Sequence, residues 1–362
     1  VGSEMCIRDR APISRETPCD GMRCIGASDA PPKFVRRILL QCYDFEVVEF
    51  SQFLPWVMVV VGIVGLGQGA SWLVDGASRL ALRLGVSPMV VGLVVVGFGT
   101  SMPEFAVSVR AALVDSGGLS VGNAVGSNIM NLLLVLGVAA MIKPIHVVGG
   151  ERVLRRDLIF GVIPAVVIMA AAWDGFIGRP SSVALLVIFA VFIGLALRQA
   201  QTENTGKTVV SGGPMKHLGL TLIGIVVLVI GSEMMVRGGI DIARRFGISE
   251  AVIGLTLVAF GTSLPELATS VAAAFKGESE ISIGNVLGSN IFNLGLVVGT
   301  AFTINPASVP VFVIRQDIPF LVLATFIVCK VVIRDVRISR ADGTMMLVLV
   351  TAYLIFVVVR GG

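Results

Sequence analysis

GTSMPEFAVSVRAALVDSGGLSVGNAVGSNIMN, residues 99–131, returns 162 residues later as GTSLPELATSVAAAFKGESEISIGNVLGSNIFN, residues 261–293. The copies align without a gap and agree at 18 of 33 positions, including each Pro, each Asn and the Glu that follows Pro. Both lie inside strongly apolar sequence, so each places a carboxylate where a membrane core is expected. A charge at that depth costs roughly 2.5–3.5 kcal/mol on insertion scales, which makes an intramembrane acid a functional-site candidate. Two acids at equivalent places in an internal repeat point to one ion site shared by two halves.

The composition fits that reading. Of 362 residues, 55% are hydrophobic and 14% charged, with a net charge of +4; mean hydropathy is +0.91. Apolar runs near twenty residues then indicate a polytopic, all-α membrane protein. Basic residues are scattered between those runs rather than clustered, so no nucleic-acid footprint is present. Four of the five cysteines (Cys6, Cys19, Cys24 and Cys42) precede the first apolar span and Cys329 lies within a later one, without zinc, redox or disulfide spacing.

Outward from the repeat, residues 1–50 mix Arg, Asp, Glu, Pro and Cys without periodicity and read as a disordered or non-native leader. Ten apolar spans follow, near 54–74, 88–113, 120–141, 158–174, 181–198, 218–236, 250–275, 282–304, 317–333 and 344–360. The Gly-, Ser- and Thr-rich segment 199–217 reads as a linker between two five-helix halves, 54–198 and 218–360. Five being odd, the second half must enter the membrane in the opposite orientation, which gives ten helices as two inverted repeats. Lys and Arg divide fourteen to seven between the two sides, placing the N-terminus outside and the linker in the cytoplasm.

Pro103 and Pro265 interrupt runs that would otherwise be continuous helix, and are expected to free carbonyls near Gly97–Thr100 and Ala259–Thr262. Such breaks are tolerated in a bilayer where they line a cavity. Ser101, Glu104 and Ser108 share one helical face, as do Ser263, Glu266 and Ser270. In the following spans Asn123, Ser127 and Asn131, and again Asn285, Ser289 and Asn293, form polar stripes flanked by glycines. Carboxylates, amides, hydroxyls and carbonyls are hard oxygen donors suited to Na⁺, Ca²⁺ or Mg²⁺. Two negative charges balance one Ca²⁺ or two monovalent ions, and competition for one pair of acids produces exchange. Doubly ionised buried acids are costly without a cation, so protons compete as well. Ser108 and Ser270 read as packing residues, Glu233 as interfacial, and Asp157 and Asp317 as span-end charges near Arg156 and Arg315.

At these motifs, GTSxPE at 99–104 and 261–266 and GNxxGSNIxN at 122–131 and 284–293, the chain resembles the cation/calcium exchanger superfamily, especially its prokaryotic sodium/calcium exchangers. The resemblance covers about residues 56–360. It implies electrogenic antiport of Na⁺ against Ca²⁺ across the plasma (inner) membrane by alternating access, with two gating helices sliding against an eight-helix core. It implies no cofactor and no obligatory protein partner beyond the ions and membrane lipid. It makes Glu104 and Glu266 the central ligands, with Ser101, Ser263, Ser127 and Ser289 adding hydroxyls. Thr100, Thr262, Gly97 and Ala259 would serve the Na⁺ sites, and Asn131 and Asn293 would complete the ring. Many relatives carry Asp at one or both of those last positions; Asn at both makes K⁺ co-transport an unexpected addition here.

The residues themselves leave other readings open. Exchange of H⁺ for Ca²⁺, or carriage of another divalent ion, would use the same acids. A cation channel would pass current without a counter-ion. An intramembrane hydrolase would need a nucleophile with a base, an aspartate pair or a His-based metal site, and the two histidines, His146 and His217, both lie near loops.

Overall fold

The computed structural model describes residues 33–146, 150–202, 213–248, 259–335 and 337–361. Contacts divide the chain into residues 1–52 and 53–362, and the second unit carries everything below. Of the expected leader, residues 1–32 lie outside the described residues, and the chain is helical from Lys33. Residues 203–212 of the expected linker and 250–258 of the seventh span also lie outside them.

α1 (Lys33–Leu84) is followed by α2 (Pro88–Val91), a π-helical stretch (Gly92–Val96) and α3 (Gly97–Thr100). α4 (Met102–Leu113) leaves that line at 46°. α5 (Gly117–Met130) runs through a π-helical stretch (Asn131–Val135) into α6 (Leu136–Ile142), followed by α7 (Gly150–Ala171) and α8 (Arg179–Thr202). The second half holds α9 (Pro214–Arg245), α10 (Ala259–Gly261), α11 (Leu264–Lys276) and α12 (Ser279–Ile291). A π-helical stretch (Phe292–Val297) leads to α13 (Val298–Ile304), and another (Val313–Asp317) precedes α14 (Ile318–Asp335) and α15 (Arg340–Gly361).

The prolines act as helix starters as much as breakers. Pro103 and Pro265 sit in the first turn of α4 and α11, where an amide N–H has no helical acceptor to lose. Gly277, at φ 77°, ends α11 in a left-handed turn; at the matching end of α4, Asp115 takes φ 59°.

Among the described residues six helices are long and apolar enough to cross a membrane: Phe53–Leu84, Gly117–Ile142, Arg179–Arg198, Pro214–Arg245, Ser279–Ile304 and Arg340–Arg360. The bent pair Pro88–Thr100 with Met102–Leu113 makes a seventh if counted as one span. Against ten expected spans, the described residues thus supply six to seven. One of the remaining expected spans is represented by a shorter apolar helix, Ile159–Ala171, and another, 250–275, begins outside the described residues.

Two spans form the centre. Gly117–Ile142 is 72% buried and Ser279–Ile304 94%, against 22–33% for the other four unbroken spans. Around them, Val60 and Val64 of α1, Val187 and Val191 of α8 and Ile223 and Val226 of α9 are exposed, the apolar outer surface a bilayer would solvate. α1 and α9 meet backbone to backbone: a methyl added at Gly65 would lie 3.2 Å from Gly231 Cα, and one at Gly69 would lie 2.7 Å from Leu228 N.

Four two-residue strands qualify the all-α expectation. β1 (Ile145–His146) pairs antiparallel with β4 (Arg337–Ile338), and β2 (Phe176–Ile177) with β3 (Ala307–Ser308). They satisfy backbone groups where the chain turns between helices.

Candidate cation site

The 46° bend at Ser101 turns the first turn of α4 inward, and Glu104 lies in that turn with 0% of its surface exposed. Glu266 occupies the same turn of α11, also 0% exposed. Ser127 and Thr262 lie against Glu104, and Thr100, Ser101 and Ser289 against Glu266.

Hydrogen bonds repeat across the two copies. Asn123 Nδ2 donates to the Glu104 main-chain carbonyl at 3.3 Å and to Ser108 Oγ at 3.0 Å. Asn285 Nδ2 donates to the Glu266 carbonyl at 3.3 Å and to Ser270 Oγ at 3.1 Å. Their Oδ1 atoms accept from hydroxyls of the opposite copy, Thr262 at 3.4 Å and Thr100 at 3.0 Å. Thr100 also lies 3.2 Å from Ser289 Oγ, and Ser127 Oγ lies 3.5 Å from Thr262 Oγ1. Each glutamate-bearing helix is therefore braced by its own asparagine and joined to the other copy through threonine. Ser108 and Ser270 are acceptors in that brace, which refines their reading as packing residues.

Against this near-symmetry stands a shortage of partners. Both Glu104 carboxylate oxygens, Glu266 Oε2, Ser263 Oγ, Asn131 Oδ1 and Asn293 Oδ1 are buried without a hydrogen-bond partner in the protein. Glu266 Oε1 accepts from Ser101 Oγ at 3.3 Å. Buried polar atoms are almost always satisfied; these are all oxygens, and their unused lone pairs fit a hard cation. Among the described residues no three His, Cys, Asp or Glu side chains converge, so a cation here would rely on two carboxylates supplemented by hydroxyl and amide oxygens.

The expected residues fare unequally. Thr100, Ser101, Ser127, Ser263, Ser289, Asn131 and Asn293 are all buried, with Thr262 at 9% exposure. The Gly97 carbonyl, expected to be free of helical partners, instead accepts from the Ser101 amide at 3.1 Å, Ser289 Oγ at 3.3 Å and Thr100 Oγ1 at 3.4 Å. Pro103 lacks the N–H that would reach the carbonyl four residues back, at Gly99, so the Ser101–Gly97 backbone bond lies outside its effect. Ala259 opens α10. Glu233 is exposed and pairs with Arg237, as an interfacial residue would. Asp317 is buried and pairs with Arg360 at 2.8 Å rather than with Arg315, whose guanidinium lies over Trp173.

Asn128 and Asn290 escaped the reading of polar stripes. Each donates to the other's main-chain carbonyl, at 2.9 and 3.3 Å. Their Oδ1 atoms accept from Asn293 Nδ2 at 3.0 Å and Asn131 Nδ2 at 3.1 Å, which fixes the orientation of both of those amides. One residue past Ser127 or Ser289 is about 100° round a helix, off the glutamate-facing stripe. Their signal lay in the duplication of every Asn in the repeat.

Two cavities share lining residues with this cluster. One of about 640 Å³ is lined by Arg110, Glu233, Ser232 and Thr262 among others. Another of about 270 Å³ is lined by Asp317, Arg360, Tyr353, Asn123 and Ser127 among others.

Apolar spans packed around a buried polar centre define a multi-pass membrane protein. The family described as sodium/calcium exchanger protein matches residues 54–198 and again 216–360, and the chain belongs to that family. It is 36% identical over 286 residues to the inner membrane protein YrbG of Escherichia coli (strain K12), covering 76% of this chain and 87% of that one. It is 29% identical over 342 residues to the sodium/calcium exchanger MaX1 of Methanosarcina acetivorans, covering 83% and 97%. A solved structure of the sodium-calcium exchanger NCX_Mj, soaked with 10 mM Na⁺ and 10 mM Sr²⁺, superposes with a TM-score of 0.73 at 30% identity, covering 85% of this chain and 98% of that one.

Proposed function

We propose that this protein is a secondary antiporter that exchanges Na⁺ for Ca²⁺ across the plasma membrane by alternating access, with Glu104 and Glu266 as ligands shared by the competing ions. The observation that carries it is the shortage of partners: three of four carboxylate oxygens, with Ser263 Oγ, Asn131 Oδ1 and Asn293 Oδ1, are buried without a hydrogen bond. A cation supplies what those atoms lack. Two acids cannot neutralise Ca²⁺ and several Na⁺ at once, so loading one ion excludes the other, and that exclusion couples the two fluxes.

In this reading the chain forms ten helices as two inverted five-helix halves, with the N-terminus outside and the linker cytoplasmic. The paired family match over 54–198 and 216–360 and the hydrogen bonds repeated 162 residues apart, such as those of Asn123 and Asn285, support it. Ser101, Ser127, Ser263 and Ser289 contribute hydroxyls, Thr100 and Thr262 serve the Na⁺ sites with the Ala259 backbone, the Gly97 carbonyl being taken up by its own hydrogen bonds, and Asn131 and Asn293 close the ring. The work is transport, without a cofactor and without covalent chemistry.

The test is ⁴⁵Ca²⁺ uptake into proteoliposomes loaded with Na⁺, at matched pH on both sides. Uptake should require an outward Na⁺ gradient, and Glu104→Gln or Glu266→Gln should lower it by more than about 100-fold, beyond the 10–100-fold typical of groups that only support a metal ligand. The variants should still insert and elute as folded protein. Uptake driven by a pH gradient alone would move the reading to proton exchange on the same acids, whereas transport that survives both substitutions would remove the site.

A further inference from the structure

The two halves differ at the ends of the helices that pack backbone to backbone. On the α1 side, Lys276 Nζ, in the last turn of α11, lies 2.7 Å from Asp75 Oδ1 and donates to the Ser71 carbonyl and to Ser71 Oγ, both at 2.8 Å. Two residues on, Glu278 Oε1 accepts from Ser78 Oγ at 2.6 Å. Ser71, Asp75 and Ser78 recur about one helical turn apart on a single face of α1, and both partners stand where α11 turns into α12, the two helices that carry Glu266 and Ser289. The 162-residue offset puts Glu233, Arg237 and Ile240 of α9 at the matching places, and Val114 and Ser116 opposite them. Those two carry no charge, and Arg237 pairs with Glu233 of its own helix. Beside Glu233 lies the cavity of about 640 Å³ that reaches Thr262.

We infer that Lys276 and Glu278 form a polar latch that holds α1 against the α11–α12 turn, and that its absence from the other half biases the carrier towards the state open beside α9. The inference rests on the alternating-access reading above. In that reading the latch lies on the cytoplasmic side, so the resting protein faces outward and inward opening requires Lys276 to leave Asp75. The latch acts on which face is open and does not touch the cation, so Lys276 and Asp75 are positioning residues. The ion pair is partly exposed, with side chains 28% and 42% accessible, and is therefore sized as a bias that thermal motion can undo.

The experiment uses the full chain in proteoliposomes, with native cysteines replaced and one cysteine introduced, at Ala106 beside the α9-side cavity or at the matching Ala268. Modification by a membrane-impermeant thiol reagent is measured in Na⁺ and in Ca²⁺. Lys276→Met should slow modification at Ala106→Cys and speed it at Ala268→Cys, each by about two- to fivefold, the shift a partly exposed pair supports. The exchanged pair Asp75→Lys with Lys276→Asp should restore the parent ratio, which a merely structural role for lysine would not. If neither position responds to the ions in the parent, alternating access falls and the latch with it. If both respond but Lys276→Met leaves the ratio unmoved, or if that variant does not fold and Asp75→Asn leaves it unmoved, the latch alone is overturned.

Discussion

Asn128 and Asn290 show what single residues contribute to a site they do not line. Each is nearly inaccessible to solvent, and together they form a closed exchange of amides in which four asparagines satisfy one another. The two oxygens left over, Oδ1 of Asn131 and of Asn293, are the ones assigned to the cation in the proposed antiport. Replacing Asn128 with Ala strands the Asn293 amide and the Asn290 carbonyl. An unsatisfied buried group costs about 1–3 kcal/mol, so the variant should melt earlier in detergent. Its half-saturating Ca²⁺ should rise about tenfold, as when a group that orients a ligand is lost. Unchanged melting together with unchanged Ca²⁺ dependence would show that the ring asparagines hold their orientation without it.

At the scale of elements, the decisive contact is between the second span and α12. Gly97 and Gly288 have no room for a side chain: a methyl at Gly97 would lie 2.9 Å from Ser289 N, and one at Gly288 would collide with the Leu93 carbonyl. That approach brings the Gly97 carbonyl to Ser289 Oγ. Gly288→Val should cost about 1–3 kcal/mol or more through overpacking and abolish uptake, whereas Gly194→Ala, where an added methyl meets nothing within 4 Å, should leave both intact; the pair is compared by thermal melting and ⁴⁵Ca²⁺ uptake. The glycines, the proline breaks and the polar stripes were legible in the repeat because each imposes a local rule. The π-helical stretches that hold Asn131 and Asn293 were not, since one inserted residue leaves no mark on apolar periodicity. The Ser289 partner of the Gly97 carbonyl was hidden for a different reason: it comes from another helix, and the break at Pro103 says only that carbonyls need partners, not which ones.

Across the whole molecule, charges sort by depth. Arg360 holds Asp317 through two bonds, 2.8 and 3.2 Å, and sits 4.3 Å from the Phe312 ring centre. Both side chains are largely enclosed, at 21% and 8% accessibility. Removing the cation leaves a buried carboxylate uncompensated, so Arg360→Ala should destabilise the protein by about 3 kcal/mol or more. Arg237→Ala, at an exposed pair, should cost less than about 1 kcal/mol. Melting of the two variants side by side checks this, and equal losses would mean that the C-terminal helix is held by apolar packing alone. Asp317 was legible as a span-end charge near Arg315, but its partner Arg360 was not, because it lies 43 residues away along the chain, near the end of α15.

The short strand pairs bear on how the protein is made. β1 ends at His146, and its partner β4 begins at Arg337; β2 likewise waits from Phe176 until Ala307 and Ser308. Helices enter a bilayer in the order of synthesis, so the first half reaches the membrane with two edges unpaired and Glu104 without the opposing copy. Both strand pairs, like the pair of glutamates, join residues of the two halves, so neither can be completed before the second half is in place.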